Sequence, residues 1–307
     1  MTKEKWTLEN LPDLNDKIIV VTGANSGIGY EATKAFASSN ALVIMGCRNS
    51  EKANEAKNKI LKEYPNAKLD IILLDLMDFD SIQYFTDSIN KKYDKVDILL
   101  NNAGIMTVPY GSTINGFEKQ IGVNYFGHFY LTMNLLEIIN KTKDSRIVNI
   151  SSIAHRFGNI KPNTFMYDEN KKYSKSRAYA QSKLANLLFT YGLISRLEKS
   201  NSKIAVLAAH PGITSSNLGR HTKSLSFKPI KWMLNKINME TPQGALPGIR
   251  ASVDPEAKSG EYYGPNKLRG VRGYPVIEKS TKRSHSVELQ DLLWEYSENL
   301  TLQKFNL

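Results

Sequence analysis

Lys17-Ile18-Ile19-Val20-Val21-Thr22 runs directly into Gly23-Ala24-Asn25-Ser26-Gly27-Ile28-Gly29. The first run is a strand-sized apolar stretch without alternation, the pattern of a strand buried on both faces. The second sets three glycines in seven residues, just ahead of an amphipathic stretch at Gly27–Ser39. Glycines there permit a tight turn and let backbone N–H groups approach a ligand closely, while the helix that follows directs its positive end at the same point. A strand, a glycine-rich turn and a helix N-terminus in that order make a cradle for the pyrophosphate of a dinucleotide. Gly23, Asn25, Ser26, Gly27, Ile28 and Gly29 are its candidate residues, although the spacing G-x3-G-x-G differs from the commoner G-x-G-x-x-G.

The end of the next apolar run selects the dinucleotide. A ribose 2′-hydroxyl is usually held by an acid about 20 residues past the glycines. Here the run ends Gly46-Cys47-Arg48-Asn49, with Lys52 a turn later and no acid before Glu51. A guanidinium offers two parallel charge-assisted hydrogen bonds, which suits a 2′-phosphate. Arg48, Asn49 and Lys52 therefore point to NADP(H).

Further apolar runs recur at Ala41–Cys47, Lys68–Leu74, Val96–Leu100, Arg146–Ser151 and Lys203–Ala209. Between them lie amphipathic stretches at Ser50–Glu63, Asp80–Lys92, Gly116–Ile139 and Ala178–Lys199. Strand–helix repetition with short connections predicts an α/β protein, a three-layer doubly wound Rossmann fold on a mostly seven-stranded parallel sheet. No repeat or low-complexity linker divides the 307 residues, so residues 1–307 read as one domain: a cofactor-binding and catalytic core over 16–214, a substrate lid over 215–240, and helices with the last strand over 241–307. After Ala209 the alternation lapses. Thr241-Pro242 reads as the N-cap and first residue of a helix, and Ser286–Leu300 as a terminal helix.

Composition limits the alternatives. A hydrophobic fraction of 41% and a charged fraction of 23% exclude disorder, and the one cysteine, Cys47, excludes a disulfide framework or a cysteine-rich zinc site. No apolar run approaches the ~20 residues of a membrane span, and the N-terminus lacks a signal-peptide core, so the chain reads as soluble and cytoplasmic. The net charge of +11 comes from lysines scattered along the chain rather than from a clustered basic face, which argues against nucleic acid as a partner. One exception is 220–236, where Arg220, Lys223, Lys228, Lys231 and Lys236 interleave with Leu225, Phe227, Ile230, Trp232, Met233 and Leu234 without an acid. This composition suggests a lid over a lipophilic substrate, with peripheral contact to an anionic membrane surface as a further expectation.

TGANSGIG (22–29), NNAG (101–104), Asn124, Ser151-Ser152, Tyr179-Ala180-Gln181-Ser182-Lys183 and Pro211-Gly212 follow one another in an order that resembles the short-chain dehydrogenase/reductase family over roughly residues 16–214. GCRN (46–49), RIVNISSIAH (146–155) and YAQSKLANLLF (179–189) are similar to its retinol-dehydrogenase and WW-domain-oxidoreductase branch. The resemblance implies that Tyr179 is the acid/base, Lys183 its partner, Ser152 the group polarising the substrate oxygen, and Asn124 an anchor for a water linking Lys183 to solvent. It places Asp75 and Leu76 at the adenine, Asn102, Ala103 and Gly104 at the adenosine ribose, and Pro211, Gly212, Ile213 and Thr214 around the nicotinamide. It further implies a homodimer or homotetramer paired through helices beside the active site. Ser152 and Tyr179 are 27 positions apart, longer than most of the family shows, so 156–175 resembles an insertion.

These residue types suit carbonyl–alcohol chemistry. Positions 179 and 183 are one helical turn apart and share a face. A phenol titrates near 10, and an adjacent ammonium is expected to lower it by about 3 units, roughly 4 kcal/mol of differential stabilisation. His128, His155 and His210 have no metal-ligand spacing and read as structural or incidental; Asp97 and Asp144 read as turn or solvation residues. The reading is a hydride-transferring oxidoreductase acting on a small lipophilic carbonyl or alcohol. A catalytically silent NADP(H) sensor on the same fold is the alternative; it predicts erosion of the Ser/Tyr/Lys set, which is intact here. A light-dependent reductase of the protochlorophyllide type shares the motifs but is expected to carry more cysteines.

Overall fold

The computed structural model describes residues 5–170, 172–214 and 238–307. Almost all of the basic segment assigned to the lid, 215–237, lies outside the described residues.

Six of the apolar runs form β1 (Ile18–Thr22), β2 (Leu42–Cys47), β3 (Lys68–Leu73), β4 (Ile98–Asn101), β5 (Arg146–Ile150) and β6 (Ala205–Ala209). The sheet order is β3-β2-β1-β4-β5-β6-β7-β8, with β7 at Tyr262–Lys267 and β8 at Arg272–Glu278. The first seven strands are parallel, as expected, and β8 adds an eighth, antiparallel strand at the edge. The order reverses between β1 and β4, so their C-terminal ends diverge and open a crevice there.

The helices are α1 (Gly27–Ser38), α2 (Ser50–Glu63), α3 (Phe79–Lys92), a single turn α4 (Lys119–Ile121), α5 (Gly127–Asn140), α6 (Lys175–Lys199), α7 (Thr241–Val253) and α8 (Val287–Thr301). The two-residue period of a strand distributes its side chains to opposite faces. Val20, Ile44, Leu99, Ile147 and Val206 pack toward α3, α5, α6 and α8. Ile19, Val43, Leu100, Val148 and Leu207 pack toward α1, α2 and α7. All ten are essentially without solvent exposure, and burying each stabilises the fold by about 1.5–3 kcal/mol.

Three local readings are corrected. The helix expected from Gly116 starts at Lys119, because Gly116 has φ 83 in a turn closed onto Thr113 and the Glu118 side chain caps the helix. That stretch continues through a π-helical turn at Gly122–Phe126, which contains Asn124. Thr241 is the first residue of α7 rather than its cap, a role taken by Glu240. Asp97 is buried and ties β4 to β1: it accepts from the Ile18 N–H at 2.9 Å and pairs with Lys17 and Lys95. Asp144, with φ 56, is the turn residue expected.

α8 closes the layer beside the active site. Trp294 lies against Phe129 and Phe189 under a guanidinium from Arg196, 4.0 Å from the ring, and the Tyr125 hydroxyl meets Ser297 at 2.5 Å. Trp294→Ala should cost about 3–5 kcal/mol in urea unfolding; a loss below about 1 kcal/mol would show that α8 does not complete the core.

Candidate active site

Where β1 and β4 diverge, a cleft of about 290 Å³ runs over the strand ends. Its floor is the glycine turn: Gly23, Asn25, Ser26, Gly27, Ile28 and Gly29 all line it. Gly23 has φ 68, and a side chain there would press on Ala103. A side chain at Gly29 would collide with the Gly23 carbonyl and the Asn102 amide, so the turn and the 102–104 loop touch with no room for a β-carbon. Asn102, Ala103 and Gly104 line the cleft opposite the turn.

At one end stand Arg48, Asp75 and Leu76. The Arg48 side chain is exposed, 3.8 Å from the Met77 sulfur, and has no ion pair among the described residues. Asp75 accepts from the Met77 N–H at 3.0 Å. Asn49 and Lys52 do not line this cleft but an adjoining hollow shared with Arg48. The Asn49 side-chain oxygen caps α2 through the Lys52 N–H at 2.8 Å.

At the other end are Tyr179 and Lys183, with Pro211. The long helix α6 carries Tyr179 and Lys183 on one flank, with the Lys183 ammonium 5.8 Å from the Tyr179 ring centroid. Lys183 is buried, and its Nζ donates to the Ile150 carbonyl at 3.0 Å. Burial pushes its pKa down to about 8. Burial also raises the Tyr179 hydroxyl, and a hydrogen bond with Ser152 pulls it partly back. This is opposite to the expected lowering: removing the phenolate from water outweighs the attraction of an ammonium that lies over the ring rather than at the oxygen.

The two serines divide. Ser151 is buried and donates to the Lys183 carbonyl at 2.8 Å, fixing β5 to α6. Ser152 begins the turn Ile153–Phe157, accepting from the Ala154 N–H at 3.2 Å, and its hydroxyl faces Tyr179. Asn124 is buried. Its amide donates to the Ile105 carbonyl and Ser182 at 2.9 Å, and its oxygen accepts from the Ile105 N–H at 2.8 Å, which holds the 104–105 loop against Lys183.

Gly212, Ile213 and Thr214 do not line the cleft. They leave it past Pro211, tied by the Ile213 N–H to the Val271 carbonyl and by a bridge between Thr214 and Met239. Sequence reading favoured Ser152, where Ser151 is the member of the pair in the lining, and missed Gly46, Leu74, Met77, Ile105, Val123 and Ile150, which also line the cleft. Their neighbours in the chain were named, but an aliphatic side chain carries no signal of its own. The histidines have positioning roles. His155 Nδ1 donates to the Ser152 carbonyl at 2.7 Å, and His210 bonds Glu278 at 3.0 Å beside Pro211.

The lining suits a dinucleotide. The buried Lys183 ammonium has three N–H donors and one hydrogen-bond acceptor among the described residues, directed at a cleft floored by glycines, and an unpaired guanidinium stands at the far end. Residues 17–225 match the short chain dehydrogenase family, and the chain belongs to it. Within that family it falls in the retinol-dehydrogenase-like branch. It is 37% identical to retinol dehydrogenase 12 of Homo sapiens, covering 92% of this chain and 89% of the relative. It is 34% identical to short-chain dehydrogenase TIC 32 A, chloroplastic, of Brassica napus, over 91% and 86%. Among solved structures, an uncharacterized protein from Mycobacterium Paratuberculosis superposes with a TM-score of 0.82 at 34% identity, covering 99% of this chain and 100% of that one. A short chain dehydrogenase from Escherichia coli CFT073 complexed with NADPH gives 0.63 at 26%, over 81% and 97%.

Lys183→Met tests the electrostatics. The folded-state pKa of about 8 lies below the unfolded value, so the burial penalty is fully present below pH 8 and fades as pH rises toward 10.5. The variant is expected to be more stable than wild type at pH 7, by up to about 3 kcal/mol, with the difference vanishing near pH 10.5. Equal or lower stability at pH 7 would contradict the burial argument.

Proposed function

We propose that the protein is an NADP(H)-dependent reductase of small lipophilic carbonyl compounds, also able to run the reverse alcohol oxidation. The observation that carries this reading is one cleft with Tyr179 and Lys183 at one end, the Ser152 hydroxyl bonded to Tyr179 beside it, and at the other end an Arg48 without an ion pair among the described residues. When bound, NADPH supplies the hydride. Ser26 to Gly29 would hold its pyrophosphate, Arg48 its 2′-phosphate, and Lys183 with the 102–104 loop its riboses.

Tyr179 is the acid. A phenol is protonated at neutral pH, the form that reduction requires, and burial favours that form further. As negative charge develops on the substrate oxygen, the phenol gives it a proton and the Ser152 hydroxyl donates a hydrogen bond to the same atom. The Lys183 ammonium then stabilises the phenolate left behind. Asn124 serves the return of the proton by holding the 104–105 loop at Lys183. Ile105 and Val123 in the cleft wall present apolar surface to the substrate, in keeping with relatives named as retinol dehydrogenases. Core, lid and C-terminal helices would act as one domain, and the single buried Cys47 suits a reducing cytoplasm.

NADPH oxidation against carbonyls of graded size tests the reading. Tyr179→Phe should lose about 10²–10⁴ of kcat. Arg48→Ala should raise KM for NADPH roughly 30-fold, about 2 kcal/mol, with little change for NADH. Undiminished turnover in Tyr179→Phe would refute the mechanism, and equal effects on both cofactors would refute the assignment of Arg48.

A further inference from the structure

None of the described residues of the inserted segment 156–175 lines the catalytic cleft, yet the segment walls a second cavity. This cavity has about 320 Å³, within the range of small-molecule sites, and shares no lining residue with the cofactor cleft. Ser174, Arg177, Ala178 and Gln181 reach it from α6. At 100° per residue these four cluster on one face, while Tyr179 and Lys183 lie roughly opposite. The helix therefore separates the two spaces.

The chemistry of this cavity is specific. Lys161, Lys172 and Arg177 surround it, and none of them is within 4.0 Å of a carboxylate among the described residues. The one acid in the lining, Glu118, is buried and occupied: its two oxygens accept from the Tyr173 hydroxyl at 2.7 Å and from the N–H groups of Gln120 and Ile121 at 2.9 and 3.0 Å. The oxygens of that carboxylate are taken up by these three donors rather than by the three cations. Tyr173 is locked between Glu118 and Gln120 and stacks on Tyr110 with ring centroids 4.5 Å apart, giving a rigid aromatic wall. Phe157, 82% exposed, stands at the rim with its ring open to solvent.

We infer that this cavity is a second binding site, for a small organic anion with a flat apolar body, and that a phosphate ester is the anion its three cations match best. The flat body lies against Tyr110, Tyr173 and Phe157, and the phosphate oxygens take charge-assisted hydrogen bonds from Lys161, Lys172 and Arg177. A dianion satisfies several cations at once, which a carboxylate does less well.

Phenyl phosphate is the probe. Isothermal titration of the full chain, saturated with NADP+ so that the cofactor cleft is filled, should give a Kd below about 1 mM. Phenol and inorganic phosphate, each lacking half of the recognition, should bind at least about tenfold more weakly, and benzoate should fall between. Arg177→Glu and, separately, Lys161→Gln should weaken phenyl phosphate at least about tenfold and about threefold respectively, with carbonyl turnover unchanged. Both side chains are exposed, so either variant is expected to fold. No heat up to about 10 mM, unchanged affinity in Arg177→Glu, or binding that NADP+ abolishes would each overturn the assignment. If the chain fails to bind NADP+, the reductase reading fails separately, and the Arg177→Glu comparison alone still decides this site.

Discussion

The Thr22 hydroxyl, at the end of β1, is a junction on which the cleft depends. It is fully buried and accepts from the N–H groups of Asn102 and Ala103, each at 2.9 Å, while the Asn102 side chain returns a bond to the Thr22 carbonyl at 2.8 Å. Behind it, His128 Nε2 lies 2.9 Å away and His128 Nδ1 lies 3.1 Å from the Asn124 carbonyl. A carbonyl can only accept, so Nδ1 carries the proton and Nε2 accepts from Thr22. Burial pushes this imidazole down to about 3, which keeps it neutral and the tautomer fixed. The glycine turn, the 102–104 loop and the π-helical turn bearing Asn124 are thereby joined through a hydroxyl and a neutral ring. An unmade bond at such a depth costs about 1–3 kcal/mol, so the three segments are held in register.

The same burial that fixes the frame strains the groups that act in it. Lys183 keeps an ammonium where water is excluded, and Tyr179 keeps a phenol whose anion is disfavoured. Each shift works against stability or against free ionisation, and each suits a cleft that handles charge as it develops. Supporting groups are arranged around them rather than on them: Ser151 on the Lys183 carbonyl, His155 on the Ser152 carbonyl, Asn124 on both polar groups of Ile105. Tyr179 and Lys183 are left with spare hydrogen-bonding capacity because their neighbours take up the backbone.

The central strands were legible because a strand buried on both faces must be an apolar run; Ile18 to Thr22 and Arg146 to Ile150 could be little else. The edge hairpin was not. Tyr262–Lys267 and Arg272–Glu278 contain Pro265, Pro275 and Gly273, residues that read as loop; they are tolerated because β8 is the edge strand and β7 pairs with β6 only at Tyr262 and Tyr263, short of Pro265. That Tyr179 and Lys183 would meet in one cleft was legible from their spacing and order. The choice between Ser151 and Ser152 rests on which hydroxyl points at the phenol, and sequence alone decides that only by resemblance. Asp97, His128 and Glu118 were not legible as structural anchors, since their partners lie 79, 106 and 55 residues away. The rise in the Tyr179 pKa was equally out of reach, because it depends on how deeply α6 seats the ring.

In the proposed reaction, hydride and proton meet at one carbon–oxygen bond beside Tyr179. Reduction of an aromatic ketone with NADPH carrying deuterium at nicotinamide C4, followed by mass spectrometry of the alcohol, tests this directly. The account expects a single deuterium on the carbinol carbon with the wild-type protein and none above background with Tyr179→Phe. Alcohol formed without deuterium from either C4-deuterated epimer, or labelled equally well by Tyr179→Phe, would contradict it.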